Sequence, residues 1–406
     1  MSRRNEMNNM SFRFILLALL SLPLLAQAQL RADFGLGAQW KVNSIARLMS
    51  GLPPMLPEHA GFAATDAWQE HSATMQSAWT RLREGRVSAM TAWRDAVLSP
   101  ECPLGKTLLY PFSGPDFFNA YWMFPGCETY VMFGLEHIGE VPDFDAMGER
   151  QMKRLIADVR AATGDLFERN YFITENMSKQ LRTAQLRGVV PLAMISMTLS
   201  GLEILRIVQN DIPPVPPDPT LRVNGRPLRQ LKGVSIEFRI PGNATVRRMN
   251  YFSLDATDQG LAHYPEFRAY VRSLGPTTTF IKSASYLLHG DKFKAMRAAI
   301  LEVTGFLVQD DSGMPYSMLA RGWDLQFHGR YDVPIPPFQG AFQVALHRAW
   351  KEQQPAPLPF TFGYQFHDQR DERSHVIVAR RRSAPEAQAV DAPQGTVLRS
   401  SNLRRR

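Results

Sequence analysis

The chain alternates short apolar runs with amphipathic stretches, and this alternation constrains its fold more than any other sequence feature. An apolar run over 107–112 precedes an aromatic helical stretch over 117–124, and a second apolar run follows over 129–135. A strand, a helix and a second strand in this order are typical of a crossover unit in a sheet. Similar alternation over 234–366 predicts mixed sheets with packed helices, an α/β fold, for which a mixed α+β arrangement is the alternative.

Helical spacing marks the chain before the first predicted strand. Over 66–98, apolar residues that include Trp68, Trp79 and Trp93 recur every three or four positions, with charged residues between them. This pattern predicts an N-terminal helical segment over 29–105 that forms a layer of the fold. We interpret the three tryptophans as core residues, because large apolar side chains on a helix face are usually buried.

A proline-rich stretch divides the remainder of the chain. The sequence DIPPVPPDPT at 211–220 contains five prolines in ten residues. Proline lacks the amide donor that both helices and sheets require, so this stretch is expected to be a linker. It separates a first predicted α/β region over 106–210 from a second over 221–368.

The residues 369–406 are polar and rich in arginine, and we expect them to form a disordered basic tail. Nine arginines against four carboxylates give this tail +5 of the formal net charge of +8. Nucleic-acid binding is not expected, because no zinc-finger spacing or RNA-binding motif accompanies the charge. Contact of the tail with anionic lipid or a polyanionic envelope polymer is the alternative to a solvated end.

The N-terminus has the three parts of a secretory signal peptide. Arginines precede an apolar run over 14–25, and the small residues Ala26 and Ala28 follow it. We expect cleavage after Ala28, which removes residues 1–28 as a signal peptide. The apolar run has about 12 residues, whereas a membrane-spanning helix needs about 20, so an uncleaved anchor is the less favoured alternative. The sequence therefore predicts a periplasmic or secreted bacterial protein with no transmembrane segment after cleavage.

The chain has two cysteines, Cys102 and Cys127. In an oxidising compartment such a pair is expected to form a disulfide, and two buried thiols are the alternative. The bridge would close a loop of about 26 residues and stabilise the fold by roughly 3 kcal/mol, because it lowers the entropy of the unfolded chain.

Polar residues follow both strands of the first predicted crossover unit. Ser113 and Asp116 come after the first strand, and His137 comes after the second. Because α/β proteins place ligands at the carboxyl ends of their strands, these three residues are candidates for a nucleophile, an orienting carboxylate and a base. The interpretation that we favour is that Ser113 and Asp116 cap the helix that begins near Phe117.

A second group of polar residues lies at two later predicted strands, over 278–284 and 305–309. Lys282 is near the end of the first strand, and Asp310 comes directly after the second. If the two strands pair in parallel, these side chains lie on neighbouring strands. A partly buried lysine near carboxylates is a candidate base or anion-binding group.

Three residues of the same segments, Tyr286, His289 and Asp311, are candidate ligand contacts. The carboxylates of Asp310 and Asp311 could hold a divalent cation through oxygen ligands. Adjacent residues on a strand point to opposite faces, however, and Asp-Ser-Gly is ordinary turn chemistry. No cofactor and no defined metal site are predicted, and a divalent cation is the alternative.

Several segments resemble a group of exported bacterial proteins with no assigned activity. The segments that carry the resemblance are YPFSGPDFFNAYWMFP (110–125), ETYVMFGLE (128–136), FIKSASYLLH (280–289), LVQDDSG (307–313), WDLQFHGRYDVPI (323–335) and FTFGYQF (360–366). The similarity covers about 108–366 and leaves out the N-terminal helices and the tail. It implies a module that occurs in secreted proteins and transfers no chemistry.

The motifs of the common enzyme classes are absent from the sequence. It contains no phosphate-binding P-loop, no dinucleotide fingerprint, no HExxH and no G-x-S-x-G. The function that we expect is therefore a non-catalytic binding module for a cell-envelope polymer or protein partner. The alternative is a periplasmic hydrolase that uses Ser113 with His137, or Lys282 with Asp310.

Overall fold

The computed structural model describes residues 24–98, 102–170, 181, 186–209, 222–223, 226–227, 231–364 and 374–382. These residues contain twelve α-helices: α1 (Leu24–Met49), α2 (Ala60–Ala63), α3 (Asp66–Leu82), α4 (Ser88–Val97), α5 (Phe117–Met123), α6 (Glu149–Arg169), α7 (Val189–Leu199), α8 (Asp258–Leu261), α9 (Pro265–Ser273), α10 (Lys294–Val303), α11 (Tyr316–Leu319) and α12 (Val344–Gln353). The main sheet has nine strands: β1 (Thr107–Pro111), β2 (Thr129–Gly134), β3 (Glu203–Gln209), β4 (Lys232–Arg239), β5 (Arg247–Ser253), β6 (Thr277–Ile281), β7 (Thr304–Gln309), β8 (Trp323–Gly329) and β9 (His375–Arg381).

The order of strands across the sheet is β8-β9-β7-β6-β1-β2-β5-β4-β3. The five central strands, β7, β6, β1, β2 and β5, run parallel to one another. The strands on both flanks pair in antiparallel fashion. The predicted α/β class is therefore confirmed, with a mixed sheet at its centre.

Successive residues of the central strands enter two different cores. Leu108 and Tyr110 of β1 belong to a core that the N-terminal helices, α5 and α7 cover, whereas Leu109 belongs to a core that α9 and α10 cover. Because side chains of a strand alternate between its two faces, a strand covered by helices on both faces is apolar throughout. This explains why the predicted strands were uninterrupted apolar runs.

The connections that follow the neighbouring strands β1 and β6 lie on opposite faces of the sheet. From β1 it passes through α5 on one face of the sheet to β2, and from β6 it passes through α10 on the other face to β7. Ligand sites of open α/β sheets lie at the carboxyl ends of strands where the connections diverge in this way. The segments after Pro111 and after Ile281 are therefore where a site is expected.

Strands from both predicted α/β regions join this one sheet, since β1 pairs with β6. The predicted linker over 211–220 lies outside the described residues. The two regions therefore do not form two separate sheets.

The prediction that 369–406 form a disordered tail is wrong for one segment. The last strand of the sheet, β9, lies within these residues. β9 inserts between β7 and β8, so its backbone is paired on both sides. Its apolar run is only four residues long and is followed by arginines, which stack on the rings of Phe306 and Trp323. The residues 383–406 lie outside the described residues.

The N-terminal helical layer is confirmed, and Trp68 and Trp93 are buried in the core as expected. The disulfide between Cys102 and Cys127 is also confirmed, and it joins the segments that lead into β1 and β2. Within the described residues, no helix is both long and apolar enough to cross a membrane. Most of the predicted signal peptide, residues 1–23, lies outside them.

One buried histidine in this layer leads to a pH prediction. His71 of α3 is fully buried, its Nε2 lies 2.9 Å from the carbonyl oxygen of Met49, and burial lowers its pKa to about 4. The unfolded chain binds a proton near pH 6.5 that the folded chain does not bind until about pH 4. The free energy of unfolding should therefore fall by about 3 kcal/mol as the pH drops through this range.

Urea denaturation at a series of pH values measures this loss. The variant His71→Gln keeps an amide donor for Met49 but does not titrate, so it should lack this part of the pH dependence. Equal pH dependence in the two proteins would show that His71 is not the responsible group.

Candidate ligand site at the carboxyl ends of the central strands

A buried ion pair joins the segments that follow β1 and β6. The Oδ2 atom of Asp116 lies 2.9 Å from Nζ of Lys282, and their side chains are 3% and 1% exposed. The Tyr110 hydroxyl donates to the same Oδ2 at 2.8 Å, and Nδ2 of Asn119 donates to Oδ1 at 2.7 Å. Buried charges require such complete pairing, because removal from water costs several kcal/mol per ion.

Asp116 caps the helix as expected, whereas Ser113, for which the same role was expected, donates to backbone carbonyl oxygens instead. Oδ1 of Asp116 accepts from the backbone amide of Asn119 at 3.3 Å, at the N-terminus of α5. Asp116 is therefore both a helix cap and the partner of Lys282. The sequence pattern indicated the first role and gave no sign of the second.

The structure does not assemble Ser113, His137 and Asp116 into a catalytic triad. Ser113 is buried, and its hydroxyl faces the carbonyl oxygens of Gly114 and Phe133 at 3.3 and 3.5 Å. His137 is exposed, and within the described part of the chain its ring makes no hydrogen bond to Ser113. The carboxylate of Asp116 is already used by Lys282 and its other partners.

The end of helix α6 completes the surroundings of Lys282. The carbonyl oxygen of Asn170 accepts from Nζ of Lys282 at 2.5 Å and from Nδ2 of Asn119 at 3.3 Å. Asn170 adopts a left-handed conformation (φ 72°), in which asparagine ends helices more readily than other side-chain-bearing residues. Burial lowers the pKa of Lys282, and the carboxylate of Asp116 opposes this change. Asn170 was not among the residues predicted for the site, although asparagine at a helix end is a recognisable signal.

Lys282 and Asp310 follow β6 and β7, which pair in parallel, so the condition under which the two residues were expected on neighbouring strands is met. Asp310 is fully buried and accepts from the amides of Ser283 and Ser312 at 2.8 and 3.0 Å, and from the Ser312 hydroxyl at 2.5 Å. The backbone of Gly363 covers the carboxylate so closely that a Cβ there would lie 2.6 Å from Oδ2. Burial, together with the charge of the adjacent aspartate, raises the pKa of Asp310. Asp310 therefore holds two loops together and is not open to a ligand.

The predicted binding residues Tyr286, His289 and Asp311 are brought together. The hydroxyl of Tyr286 donates to Oδ2 of Asp311 at 2.6 Å, and the rings of Tyr286 and His289 lie 5.2 Å apart. Burial lowers the pKa of His289. His375 of β9 lies 3.1 Å from Oδ1 of Asp311. His375 was not among the predicted site residues, because it lies within the predicted disordered tail.

The adjacent carboxylates Asp310 and Asp311 bind different protein groups. Asp310 binds the loops at 283 and 312, whereas Asp311 binds Tyr286 and His375. Across the described ranges, no three side chains of histidine, cysteine, aspartate or glutamate are grouped as metal ligands. The arrangement therefore offers no support for the predicted alternative of a divalent cation.

Left-handed backbone is concentrated beside these residues. Phe112 after β1 has a φ of 56°, and Ser283, Ser285 and Tyr286 after β6 have φ values of 51°, 51° and 53°. Each residue in this conformation destabilises the fold by on the order of 1–3 kcal/mol, and the conformation persists only where the surrounding structure enforces it. Tyr364 supplies part of that enforcement, since its hydroxyl accepts from the amide of Ser285 at 3.0 Å and donates to the carbonyl of Ser283 at 2.8 Å. Such strain commonly accompanies functional sites.

A cavity of about 350 Å³ lies among α3, α6 and the segment around residue 361. Three arginines, Arg81, Arg86 and Arg160, line it, and we call it the arginine cavity. The other residues that line it are Thr74, Met75, Ala78, Leu82, Thr163, Gly164, Phe167, Glu168 and Thr361.

Arg86 connects the arginine cavity to the buried ion pair. It lies in a π-helical turn (Arg83–Val87), a feature that is frequent at functional sites. Its Nη2 donates to the carbonyl oxygen of Leu166 at 2.9 Å. Burial lowers the pKa of Arg86 to about 10, and the nearby charge of Asp116 opposes this change. The guanidinium group therefore stays charged at neutral pH.

No protein-family model, curated protein or solved structure matches this chain. The resemblance to exported bacterial proteins therefore stays an expectation, and the candidate site has to be interpreted from its own geometry.

A double-mutant cycle tests the ion pair. Lys282→Met leaves the carboxylate of Asp116 buried without its cation, and we expect it to lower the free energy of unfolding by about 3–5 kcal/mol. Asp116→Asn should also destabilise, because it leaves Lys282 buried and unpaired. The double variant should be less destabilised than the sum of the two single changes, as measured by urea denaturation. Strictly additive losses would contradict a direct interaction.

Proposed function

We propose that this chain is an exported binding protein that takes up an anionic group of a cell-envelope component in the arginine cavity. The observation that carries the proposal is that three arginines, Arg81, Arg86 and Arg160, line one cavity. Their positive charges and N–H donors suit an anionic ligand.

The guanidinium groups have unused donors that suit an anion. Each has five N–H donors in a planar fork that matches a phosphate or a carboxylate. Arg86 uses one for Leu166, and Arg81 uses one for the Ser77 hydroxyl at 2.6 Å. Arg160 lies 3.7 Å from the exposed carboxylate of Glu70, a distance typical of a weak surface pair. A bound oxyanion could therefore engage all three arginines without breaking the fold.

The apolar residues that line the arginine cavity indicate which chemical group of the ligand lies next to its anionic group. Met75, Leu82 and Phe167 provide apolar surface next to the arginines. The volume of about 350 Å³ is near the lower end of the range for small-molecule pockets. These features favour a small anionic group attached to an apolar or ring-shaped portion.

Two further observations support export. The disulfide between Cys102 and Cys127 suits an oxidising compartment, in which such bonds persist. The order of arginines, apolar run and small residues at the N-terminus is that of a cleavable signal peptide.

The hydrolase alternative has less support. Ser113 is not hydrogen-bonded to His137, and a general base must reach the proton that it removes. Lys282 and Asp310 are buried and bind other groups: Lys282 binds Asp116 and the carbonyl of Asn170, and Asp310 binds the loops at 283 and 312.

Binding of phenyl phosphate to the full chain without its leader tests the proposal. Isothermal titration calorimetry should detect this anion, whereas the neutral analogue benzyl alcohol should not bind. Arg86→Gln should weaken binding about tenfold or more, since a hydrogen bond to a charged group contributes roughly 1.5–3 kcal/mol. The affinity of Arg86→Lys for phenyl phosphate should lie between those of the wild-type chain and Arg86→Gln, because lysine keeps the charge but lacks the planar fork of donors.

The matched control is Arg154→Gln, which removes an exposed arginine of α6 that does not line the cavity. The proposal fails if phenyl phosphate does not bind, or if this control weakens binding as much as Arg86→Gln. Release of inorganic phosphate by the pure protein would favour the hydrolase alternative instead.

Export leads to a separate prediction. When the chain is expressed with its leader in a bacterium, N-terminal sequencing of the periplasmic material should begin at Gln29. Ala28→Leu should leave the leader attached, because the cleavage site accepts only small side chains. An intact leader on the wild-type chain, with all of the material in the cytosol, would exclude the proposed export.

A further inference from the structure

A second cavity, of about 280 Å³, lies between α1, the end of α7 and the edge strand β3. It shares no lining residue with the arginine cavity. Its side is formed by Trp40, whose side chain is large, apolar and 48% exposed. The polar residues that line it are Gln39, Asn43, Arg47, Thr198 and Glu203. We call it the Trp40 cavity.

Hydrogen bonds fix the polar groups of the Trp40 cavity before any ligand arrives. Nε2 of Gln39 donates to Oε1 of Glu203 at 2.6 Å, and Nε of Arg239 donates to Oε2 at 2.6 Å. The amide of Asn43 bridges to the backbone of Ile204, donating at 2.7 Å and accepting at 3.0 Å. Groups held in place in this way lose little entropy on binding.

The Trp40 cavity has fewer charged groups than the arginine cavity. Its lining contains one cation, Arg47, and one anion, Glu203, whose carboxylate is already paired with Arg239. The lining therefore has no cluster of like charges that would favour a strongly charged ligand. A neutral ligand with several hydroxyl groups can donate to Glu203 and accept from Arg47 and Thr198, both of which carry suitable donors.

We propose that the Trp40 cavity binds one ring of a neutral carbohydrate. The indole of Trp40 offers a flat apolar surface for the C–H face of a sugar ring, as aromatic side chains combine a large contact area with little conformational freedom. The fixed polar groups of Gln39 and Glu203 then meet the hydroxyls at the ring edge. The volume suits a single ring rather than a long oligosaccharide.

Titration of the full chain without its leader against glucose, N-acetylglucosamine, cellobiose and chitobiose tests this site. At least one of these sugars should bind with a Kd of about 1 mM or tighter, measured by calorimetry. Trp40→Ala should weaken that binding about tenfold or more, as is usual for a central aromatic contact. Trp40→Phe keeps an aromatic face, so its affinity for the sugar should fall less than that of Trp40→Ala.

The matched control is Phe342→Ala, which removes an aromatic side chain of similar exposure, 38%, outside the cavity. This control and Arg86→Gln should both leave sugar binding unchanged, and Trp40→Ala should leave the binding of phenyl phosphate unchanged. Absence of binding by all four sugars to the folded wild-type chain overturns the inference. Undiminished binding by folded Trp40→Ala, or an equal loss in Phe342→Ala, also overturns it.

Discussion

The ion pair of Asp116 and Lys282 is the interaction on which the centre of this molecule depends. It links the segments that follow β1 and β6, the two strands from which the chain departs in opposite directions. The carbonyl of Asn170 and the amide of Asn119 join the same two charges, so α5 and α6 are tied to it as well. Because a buried ion pair is often no more stabilising than apolar residues of similar size, its value here lies in fixing where four elements meet.

The two carboxylates after β7 have separate roles. Asp310 binds the strained loop after β6, whereas Asp311 faces Tyr286 and His375. Both residues lie beyond the end of β7, where the chain enters a turn, and their side chains have different surroundings. A pair of neighbouring acidic residues therefore serves two structures at once, one of which depends on a histidine 64 positions further along the chain.

The sequence was sufficient to predict the structural features that depend on local patterns. The apolar runs at 107–112 and 129–135 predicted buried parallel strands, the spacing of Trp68 and Trp93 predicted buried helix faces, and the cysteine pair predicted a disulfide. The sequence placed Lys282 and Asp310 at the ends of neighbouring strands only on the condition that these strands pair in parallel, which they do.

Features that depend on distant parts of the chain were not predictable in this way. Arg81, Arg86 and Arg160 resemble solvated charges on amphipathic helices, and only the packing of α3 against α6 brings them to one cavity. His375 could not be assigned to the site, because the strand that carries it is short, followed by arginines and stabilised by its pairing with β7 and β8. The local sequence does not indicate which strands this segment pairs with.

The position of β9 has a consequence for how the molecule forms. β9 follows every other strand of the sheet in the chain, yet it lies between β7 and β8 rather than at an edge. During synthesis, β8 therefore has no neighbour to pair with until 375–381 have emerged from the ribosome. The part of the sheet that β8 and β9 form is therefore completed after the pairing of the five central strands has become possible.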